Sequence, residues 1–260
     1  MITDTHAHLD YPDYDIDRDA VIERAHQAGV SKMISIGIGR DSIGRTLKLC
    51  EKYPNVFAAV GVHPTALDAL RFDEWSLLED AAKSPKVVAI GEMGLDYHHL
   101  PQDQPEEAKK QQKEYFLRQL ELAKHYNKPA IIHCRDAYEE TLQILQEFGR
   151  FREECGVMHC FGSDIATARR VFELGYIISV GGILTFKNAA SLREVIQATP
   201  HDQLLLETDC PYLAPVPYRG KRNEPAYTRL VAEKVAEIWK MPFEKTVEKI
   251  SRNVGRVFGI

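Results

Sequence analysis

Short apolar runs alternate with longer amphipathic segments along the whole sequence, and this alternation constrains the fold more than any other feature. Most residues of each run are apolar, which is typical of strands that are covered on both faces in a parallel sheet. The pattern therefore predicts eight strands. These lie at Met1–Thr5, Lys32–Ile38, Val56–Val62, Val87–Gly91, Ala130–His133, Gly156–His159, Tyr176–Val180 and Leu204–Glu207.

The segments between the runs repeat apolar residues at helical spacing. Gly29 and Gly175 are typical of the residue that follows a helix, and Asp164 is typical of an N-cap. Pro242 is a start signal for one last helix. The predicted helices are Asp17–Ala28, Ile43–Tyr53, Asp73–Lys83, Glu106–Tyr126, Tyr138–Phe148, Asp164–Leu174, Ala189–Thr199, Ala226–Trp239 and Phe243–Phe258.

Dividing 260 residues among eight strand–helix units leaves 32.5 residues for each unit. This matches the α/β fold called the (β/α)8 or TIM barrel, which typically takes ~250 residues. A doubly wound open sheet is the alternative, but its first strand normally leads into a glycine-rich turn. Here the first run leads into His6-Ala7-His8. We therefore expect one barrel domain over residues 1–260, with an extra C-terminal helix.

Composition and charge exclude several classes of protein. No stretch approaches the ~20 apolar residues that cross a bilayer, and the first residues lack the pattern of a signal peptide. Five cysteines, an odd number, argue against a disulfide framework and for the reducing cytoplasm. A net charge of −5 excludes a generally basic nucleic-acid-binding protein. Since a closed barrel has no free sheet edge, we expect a monomer without an obligate protein partner.

Seven potential metal ligands share one kind of position, at or just past the end of a predicted strand. A lone histidine there would be interpreted as a satisfied core residue, but the carboxyl ends of barrel strands converge on one mouth, where active sites are built. Burying so many polar groups together is costly unless a metal or a substrate satisfies them. The seven residues are His6, His8, His63, Glu92, His133, His159 and Asp209. The other histidines, predicted to face solvent or to act locally, are His26, His98, His99, His125 and His201.

Imidazole and carboxylate groups together favour zinc, manganese or iron, with magnesium or calcium less natural among nitrogen ligands. The set is larger than one tetrahedral zinc requires. It fits two divalent cations that share a bridging carboxylate, and Glu92 has the central position for that bridge. Three cysteines directly follow a candidate ligand, and we expect their side chains to point to the opposite face, towards the helices. They are Cys134, Cys160 and Cys210.

Seven blocks of this sequence together resemble the TatD family of metal-dependent deoxyribonucleases, which are TIM-barrel proteins of the amidohydrolase-like group. The resemblance covers the whole chain, and the blocks follow the order of the family. A single His-x-His pair is weak evidence, but seven blocks in register are specific. The blocks are Asp4–Asp10, Gly61–Pro64, Ile90–Tyr97, His133–Ala137, His159–Gly162, Glu207–Leu213 and Arg222–Pro225.

The resemblance implies which side chains share a cation. One cation would be held by His6, His8, Glu92 and Asp209, and the other by Glu92, His133 and His159. His63 would lie near the substrate phosphate or an additional metal. Many related binuclear enzymes bridge their metals with a carboxylated lysine where this chain has Glu92. That difference favours phosphodiester hydrolysis over the reactions of the phosphotriesterase-like or dihydroorotase-like branches.

We therefore expect a DNA phosphodiesterase that uses water activated by two metals, acting as an exonuclease on single-stranded or frayed ends. Asp209 would orient or deprotonate the attacking water, Glu92 would bridge the metals, and His63 would donate a hydrogen bond or proton to the phosphate or the leaving oxygen. Little sequence preference is expected, because few basic residues are available to displace counterions.

Several neighbouring residues have two interpretations each. Arg135 would reach a phosphate or form a structural ion pair. The segment from Tyr212 to Arg222 combines aromatic and basic residues, which is typical of single-strand binding, but an ordinary solvated loop fits equally well. Glu207 would either act directly or be held by Arg222 or Asn223. Of two further acids in these blocks, Asp136 is predicted to be an N-cap, and Asp96 is predicted either to organise a loop or to hold a ligand residue from behind.

Two other functions remain open on sequence grounds. The first is a hydrolase on the same scaffold that acts on a different ester or amide, such as aminoacyl-tRNA or a small acylated molecule. The second is a binding protein with structural metals. An open water-binding pair argues against the second, because structural zinc sites are coordinatively closed.

Overall fold

The computed structural model describes residues 1–71 and 74–260. Eight parallel strands form one sheet in chain order, each paired with the next. Ala7 forms a parallel bridge with Cys210 just after the last strand, which nearly closes the sheet into a barrel. The predicted TIM barrel is therefore confirmed. The strands are β1 (Ile2–Ala7), β2 (Val30–Ile38), β3 (Val56–Gly61), β4 (Val87–Asp96), β5 (Ala130–Arg135), β6 (Gly156–Met158), β7 (Tyr176–Val180) and β8 (Leu204–Leu206).

Within the described residues nine α-helices accompany the strands, and none is long and apolar enough to span a bilayer. The predicted helix start at Asp73 lies outside the described residues. The helices are α1 (Arg18–Gln27), α2 (Arg40–Lys52), α3 (Trp75–Ala82), α4 (Pro105–His125), α5 (Tyr138–Phe148), α6 (Ile165–Glu173), α7 (Ala190–Ala198), α8 (Thr228–Trp239) and α9 (Phe243–Phe258).

β4 is five residues longer than predicted, because its pairing with β5 continues past the predicted end. Gly94 pairs with His133, and Asp96 pairs with Arg135. Glu92 therefore lies within the strand rather than after it. This extension carries two carboxylates, those of Glu92 and Asp96, along the same wall of the barrel.

The two predicted N-caps have different outcomes. Asp164 caps α6, since its side chain accepts a hydrogen bond from the backbone N–H of Thr167 at 2.8 Å. The prediction for Asp136 is wrong: Ala137 occupies the N-cap position of α5. Asp136 has a positive φ of 55° and instead contacts His98 Nδ1 at 3.0 Å, which draws its carboxylate away from the helix.

A small apolar core fills the amino-terminal half of the barrel, separate from the larger core between strands and helices. Residues from β2 to β8 meet side chains of α9 there, so the extra C-terminal helix contributes to the inside of the barrel. The cluster consists of Ile34, Ile36, Ala59, Val88, Ala89, Ile131, Val157, Ile177, Leu205, Val254, Val257 and Phe258.

Candidate metal centre

Glu92 reaches the middle of the barrel because the chain before it can approach β5 very closely. Gly91 has a φ of +143°, and a Cβ atom on it would lie 2.6 Å from the carbonyl oxygen of Ile131. Only glycine fits this backbone and this spacing. Glu92, which follows, is 3% exposed.

The two carboxylate oxygens of Glu92 face different histidines. Oε1 lies 2.7 Å from His159 Nε2, 2.9 Å from His133 Nδ1 and 3.4 Å from His63 Nε2. Oε2 lies 3.3 Å from His6 Nε2 and 3.9 Å from His8 Nε2. The carboxylate of Glu92 thus lies between two groups of imidazoles, and each of its oxygens faces one group.

Asp209 lies near His6 and His8, the two histidines that face Oε2 of Glu92. Its Oδ1 atom lies 3.4 Å from His8 Nε2 and 3.8 Å from His6 Nε2. Asp209 has a positive φ of 57°, and its N–H donates to the carbonyl of His6, which holds the turn after β8 against β1. The structure therefore brings together all seven side chains that were singled out at the strand ends.

The charges in this cluster depend on one another. Burial would raise the pKa of Glu92, but His159, His63 and His6 outweigh it and hold that pKa well below its usual value. Burial would likewise lower the pKa of His133, but its hydrogen bonds with Asp96 and Glu92 raise it. The carboxylate at the centre is consequently ionised.

The cluster is suited to bind cations, because several of its buried ring nitrogens have no hydrogen-bond partner within the described chain. These atoms are Nδ1 and Nε2 of His6, Nδ1 of His8 and Nδ1 of His159. An unpaired buried polar group costs about 1–3 kcal/mol. Nitrogen and carboxylate donors together fit divalent metals such as zinc or manganese, and metal binding would offset part of that cost.

Three combinations of side chains in the described residues are close enough to hold a metal ion, each with its donor atoms within 4.8 Å of one another. The first two share His6, and the third contains the central carboxylate. The combinations are His6, His8 and Asp209; His6, His159 and Glu207; and His63, Glu92 and His133.

A family model described as "TatD related DNase" matches residues 3–259 of this chain. The chain belongs to the TatD family. Two of its similar relatives are both described as uncharacterized metal-dependent hydrolases. YabD of Bacillus subtilis is 43% identical over 260 residues, covering the whole of both chains, and YcfH of Escherichia coli K12 is 38% identical, covering 100% of this chain and 96% of the relative.

Solved structures agree with this family membership. The crystal structure of YjjV, a TatD homologue from Escherichia coli K12, has a TM-score of 0.92 at 33% identity, covering 100% of this chain and 98% of that one. A TatD-family hydrolase from Entamoeba histolytica has a TM-score of 0.86 at 25% identity, covering 99% and 97%. This TatD-family protein is therefore a metal-dependent hydrolase.

Glu207 lies behind His159 in this TatD-family site. Its carboxylate accepts a hydrogen bond from the backbone N–H of Cys160 at 2.7 Å and one from the hydroxyl of Ser179, and it lies 3.4 Å from His159 Nδ1. Neither Arg222 nor Asn223 holds it, so that interpretation of Glu207 was wrong. β7 supplies the partner instead, because Ser179 and Glu207 face the same interior layer.

Arg222 and Asn223 organise the loop after β8. The Arg222 guanidinium donates to both carboxylate oxygens of Asp17, at 2.9 and 2.6 Å, and covers the ring of Tyr14. The Asn223 amide donates to the carbonyls of Thr208 and Tyr212, on either side of Asp209. Arg222 is therefore engaged away from the cluster, while Asn223 holds the turn that presents Asp209.

Two predicted substrate contacts stand at the rim of the TatD-family site. Arg135 is exposed at the end of β5, and its guanidinium has no hydrogen bond or ion pair within the described chain. Tyr212 is 53% exposed. Its ring lies 6.1 Å from that of Tyr11 and 6.4 Å from that of His8, so an aromatic pair borders the His8 side of the cluster.

Cys134 and the remaining histidines lie away from the cluster or at the surface, whereas burial and the nearby charges of Glu207, Asp209 and Glu92 raise the pKa of the Cys160 thiol. Cys134 Sγ lies 3.4 Å from the Thr141 hydroxyl of α5, so this cysteine points towards the helices as expected. All five cysteines are free thiols. The five histidines that were expected to face solvent are exposed.

Sequence reasoning missed two buried glutamines of α4 that hold the backbone of the site. Gln119 both accepts from the N–H and donates to the carbonyl of Val62, next to His63. Gln112 holds the N–H and carbonyl of Asp96 in the same way. The available signal was their spacing of seven residues, which places two amides on the buried face of an amphipathic helix.

Proposed function

We propose that this TatD-family hydrolase cleaves phosphodiester bonds in DNA and that it uses two divalent cations. The observation that carries the proposal is the division of the Glu92 oxygens between two groups of imidazoles. A carboxylate shared in this way is the usual centre of a two-metal site. The family resemblance of the seven sequence blocks supports the choice of DNA.

The proposed ligands follow this division. Those on the Oε2 side are His6, His8 and Asp209, those on the Oε1 side are His133 and His159, and Glu92 bridges them. Two cations held there would activate water and neutralise the negative charge that a phosphodiester brings. Zinc, manganese and magnesium are the candidates to test.

Asp209 is proposed to orient the attacking water. Its carboxylate lies beside His8 at the edge of the cluster and keeps a free oxygen, since only Oδ1 approaches the histidines. Burial would raise the pKa of Asp209, but the hydrogen bond with His8 and the nearby His6 lower it. An ionised Asp209 can accept a hydrogen bond from water and, as the reaction proceeds, its proton.

His63 is proposed to donate a hydrogen bond to the phosphate or the leaving oxygen. The backbone N–H of Thr65 donates to His63 Nδ1 at 3.1 Å, which makes Nδ1 an acceptor. Burial lowers the pKa of His63, which favours the neutral ring, and a neutral ring that accepts at Nδ1 carries its proton on Nε2. That Nε2–H points at the cluster, 3.4 Å from Glu92 Oε1, as a donor rather than a ligand.

The rim residues fit a single strand or a frayed end. The unpaired guanidinium of Arg135 would bind a phosphate, and the rings of Tyr11 and Tyr212 would stack on bases. Stacking and phosphate contacts are indifferent to sequence, so little sequence preference is expected. The protein is expected to act as a monomer.

The test compares three labelled substrates with purified protein loaded with each candidate metal: single-stranded DNA, a phosphotriester and an aminoacyl ester of tRNA. Release of nucleotides from DNA by the wild type, and its loss in Glu92→Gln, would support the proposal. Asp202→Asn, an exposed carboxylate far from the cluster, is the matched control. Turnover confined to the aminoacyl ester would overturn the nuclease assignment in favour of a deacylase.

A further inference from the structure

His133 forms a hydrogen bond with a carboxylate at each of its two ring nitrogens. Nδ1 lies 2.9 Å from Glu92 Oε1, and Nε2 lies 3.1 Å from Asp96 Oδ2. In contrast, both nitrogens of His6 have no hydrogen-bond partner within the described chain. The orientation of the His133 ring is thus determined from both sides.

Asp96 is itself held rigidly. Its side chain is buried, and Oδ1 accepts hydrogen bonds from the backbone N–H groups of His98 and His99, both at 3.0 Å. Oδ2 lies 2.9 Å from His99 Nδ1 in addition to His133. Gln112 fixes the backbone of the same residue from α4. The carboxylate cannot turn away from His133 without breaking several of these contacts.

An ionised carboxylate only accepts hydrogen bonds, so Asp96 requires the proton of a neutral His133 to be on Nε2. When a cation binds, the lone pair of Nδ1 is then the one available to it, on the side of the ring that faces Glu92. We propose that Asp96 is a positioning residue that selects Nδ1 of His133 as the metal-binding atom. This inference rests on the proposed role of His133 as a ligand, and it adds a residue that the seven strand-end positions do not include.

Asp96→Asn is the sharpest variant, because it keeps the shape of the side chain and changes one hydrogen-bonding group. The asparagine oxygen is expected to stay on the two backbone N–H groups, which need an acceptor. The amide NH2 then faces His133 Nε2 and makes it an acceptor, so the ring proton moves to Nδ1 and blocks that atom. Loss of such a partner typically lowers metal affinity about 10- to 100-fold.

The experiment titrates the metal-free protein with Zn²⁺ alone and with Mn²⁺ alone by calorimetry. In Asp96→Asn we expect one binding step to weaken about 10- to 100-fold, with an unchanged melting temperature for the metal-free protein. Asp136→Asn is the matched control: Asp136 contacts His98 Nδ1 at 3.0 Å on the same rim, but its side chain is 63% exposed. The control should bind both metals as the wild type does.

A second measurement separates positioning from a general structural effect. If Asp96 acts through His133, then Asp96→Asn should add nothing to the affinity already lost in His133→Ala. Wild-type affinity in Asp96→Asn, or a further loss in the His133→Ala background, would overturn the inference. Failure of the wild type to cleave DNA would overturn the proposed function instead, since the titration uses no DNA.

Discussion

The barrel interior has an apolar half and a polar half. Both are built on the same strands, but they differ in whether their side chains find partners within the protein. Ile131, Val157 and Leu205 belong to the apolar core that α9 completes. Two residues further along the chain from each come His133, His159 and Glu207, within or just past the same strands. In the first half, packing satisfies the side chains of this cluster; in the second, several ring nitrogens have no hydrogen-bond partner within the described residues.

This difference shows how a parallel barrel separates stability from chemistry. Because side chains alternate between faces, a step of two residues keeps a side chain inside the barrel while moving it about 6–7 Å towards the mouth. The apolar half can therefore hold the strands in register while the polar half keeps groups that folding alone does not satisfy. Substitutions in the apolar half should therefore change the free energy of unfolding, whereas substitutions in the polar half should change hydrolysis.

Removal of metal is expected to have the largest effect and to be confined to the polar half. Dialysis against a chelator should reduce hydrolysis to background, because the cations are proposed both to lower the pKa of the attacking water and to neutralise the charge of the substrate. The apolar half should stay folded, so far-ultraviolet circular dichroism should not change. Readdition of Zn²⁺ or Mn²⁺ should restore activity. Full activity after verified metal removal would contradict the metal-centre assignment.

Asp209→Asn is the next largest expected change. Loss of the group that is proposed to orient or deprotonate water should reduce kcat about 100- to 10,000-fold. The turn should survive, because its backbone contact with His6 does not use the side chain. The measurement is single-turnover cleavage of labelled DNA, with Asp202→Asn as control. A near-normal rate would remove Asp209 from the mechanism.

Leu205→Ala probes the apolar half, one step below Glu207. Removing a fully buried leucine should lower the free energy of unfolding by about 2–5 kcal/mol. Denaturant unfolding measures this loss, and Ile177→Val should cost about 0.5–1.5 kcal/mol as a milder change in the same cluster. Activity of the folded fraction should persist at low temperature; its disappearance would show that the two halves are not separable.

Tyr212→Ala at the rim is expected to have the smallest effect. A lost base-stacking contact is worth about 1–3 kcal/mol, so KM for single-stranded DNA should rise while kcat and stability change little. Tyr212→Phe keeps the aromatic face and is the matched control. An equal rise in KM for both variants would assign the effect to the hydroxyl and argue against stacking.

The strand–helix alternation and the strand-end ligands could be predicted from sequence because both follow local rules. Apolar periodicity predicts strands and helices, and parallel strands in a barrel necessarily bring their carboxyl ends to one mouth. For that reason His6, His63 and Asp209, which are far apart in the chain, could be assigned to one site without coordinates.

Contacts between side chains of different strands could not be predicted in this way. The extension of β4 past Glu92 depends on its register with β5, and this extension is what brings Asp96 beside His133. Arg222 could equally have faced substrate, but the position of α1 places Asp17 within reach of its guanidinium.

The sequence by itself determined the barrel, its order of strands and the types of side chain that meet at the mouth. Only the tertiary structure decided which oxygen of Glu92 faces which histidine, and which carboxylate lies behind each ring. The physical reason is that periodicity specifies the face on which a side chain lies, whereas hydrogen bonds depend on strand register and rotamers to within a few tenths of an ångström.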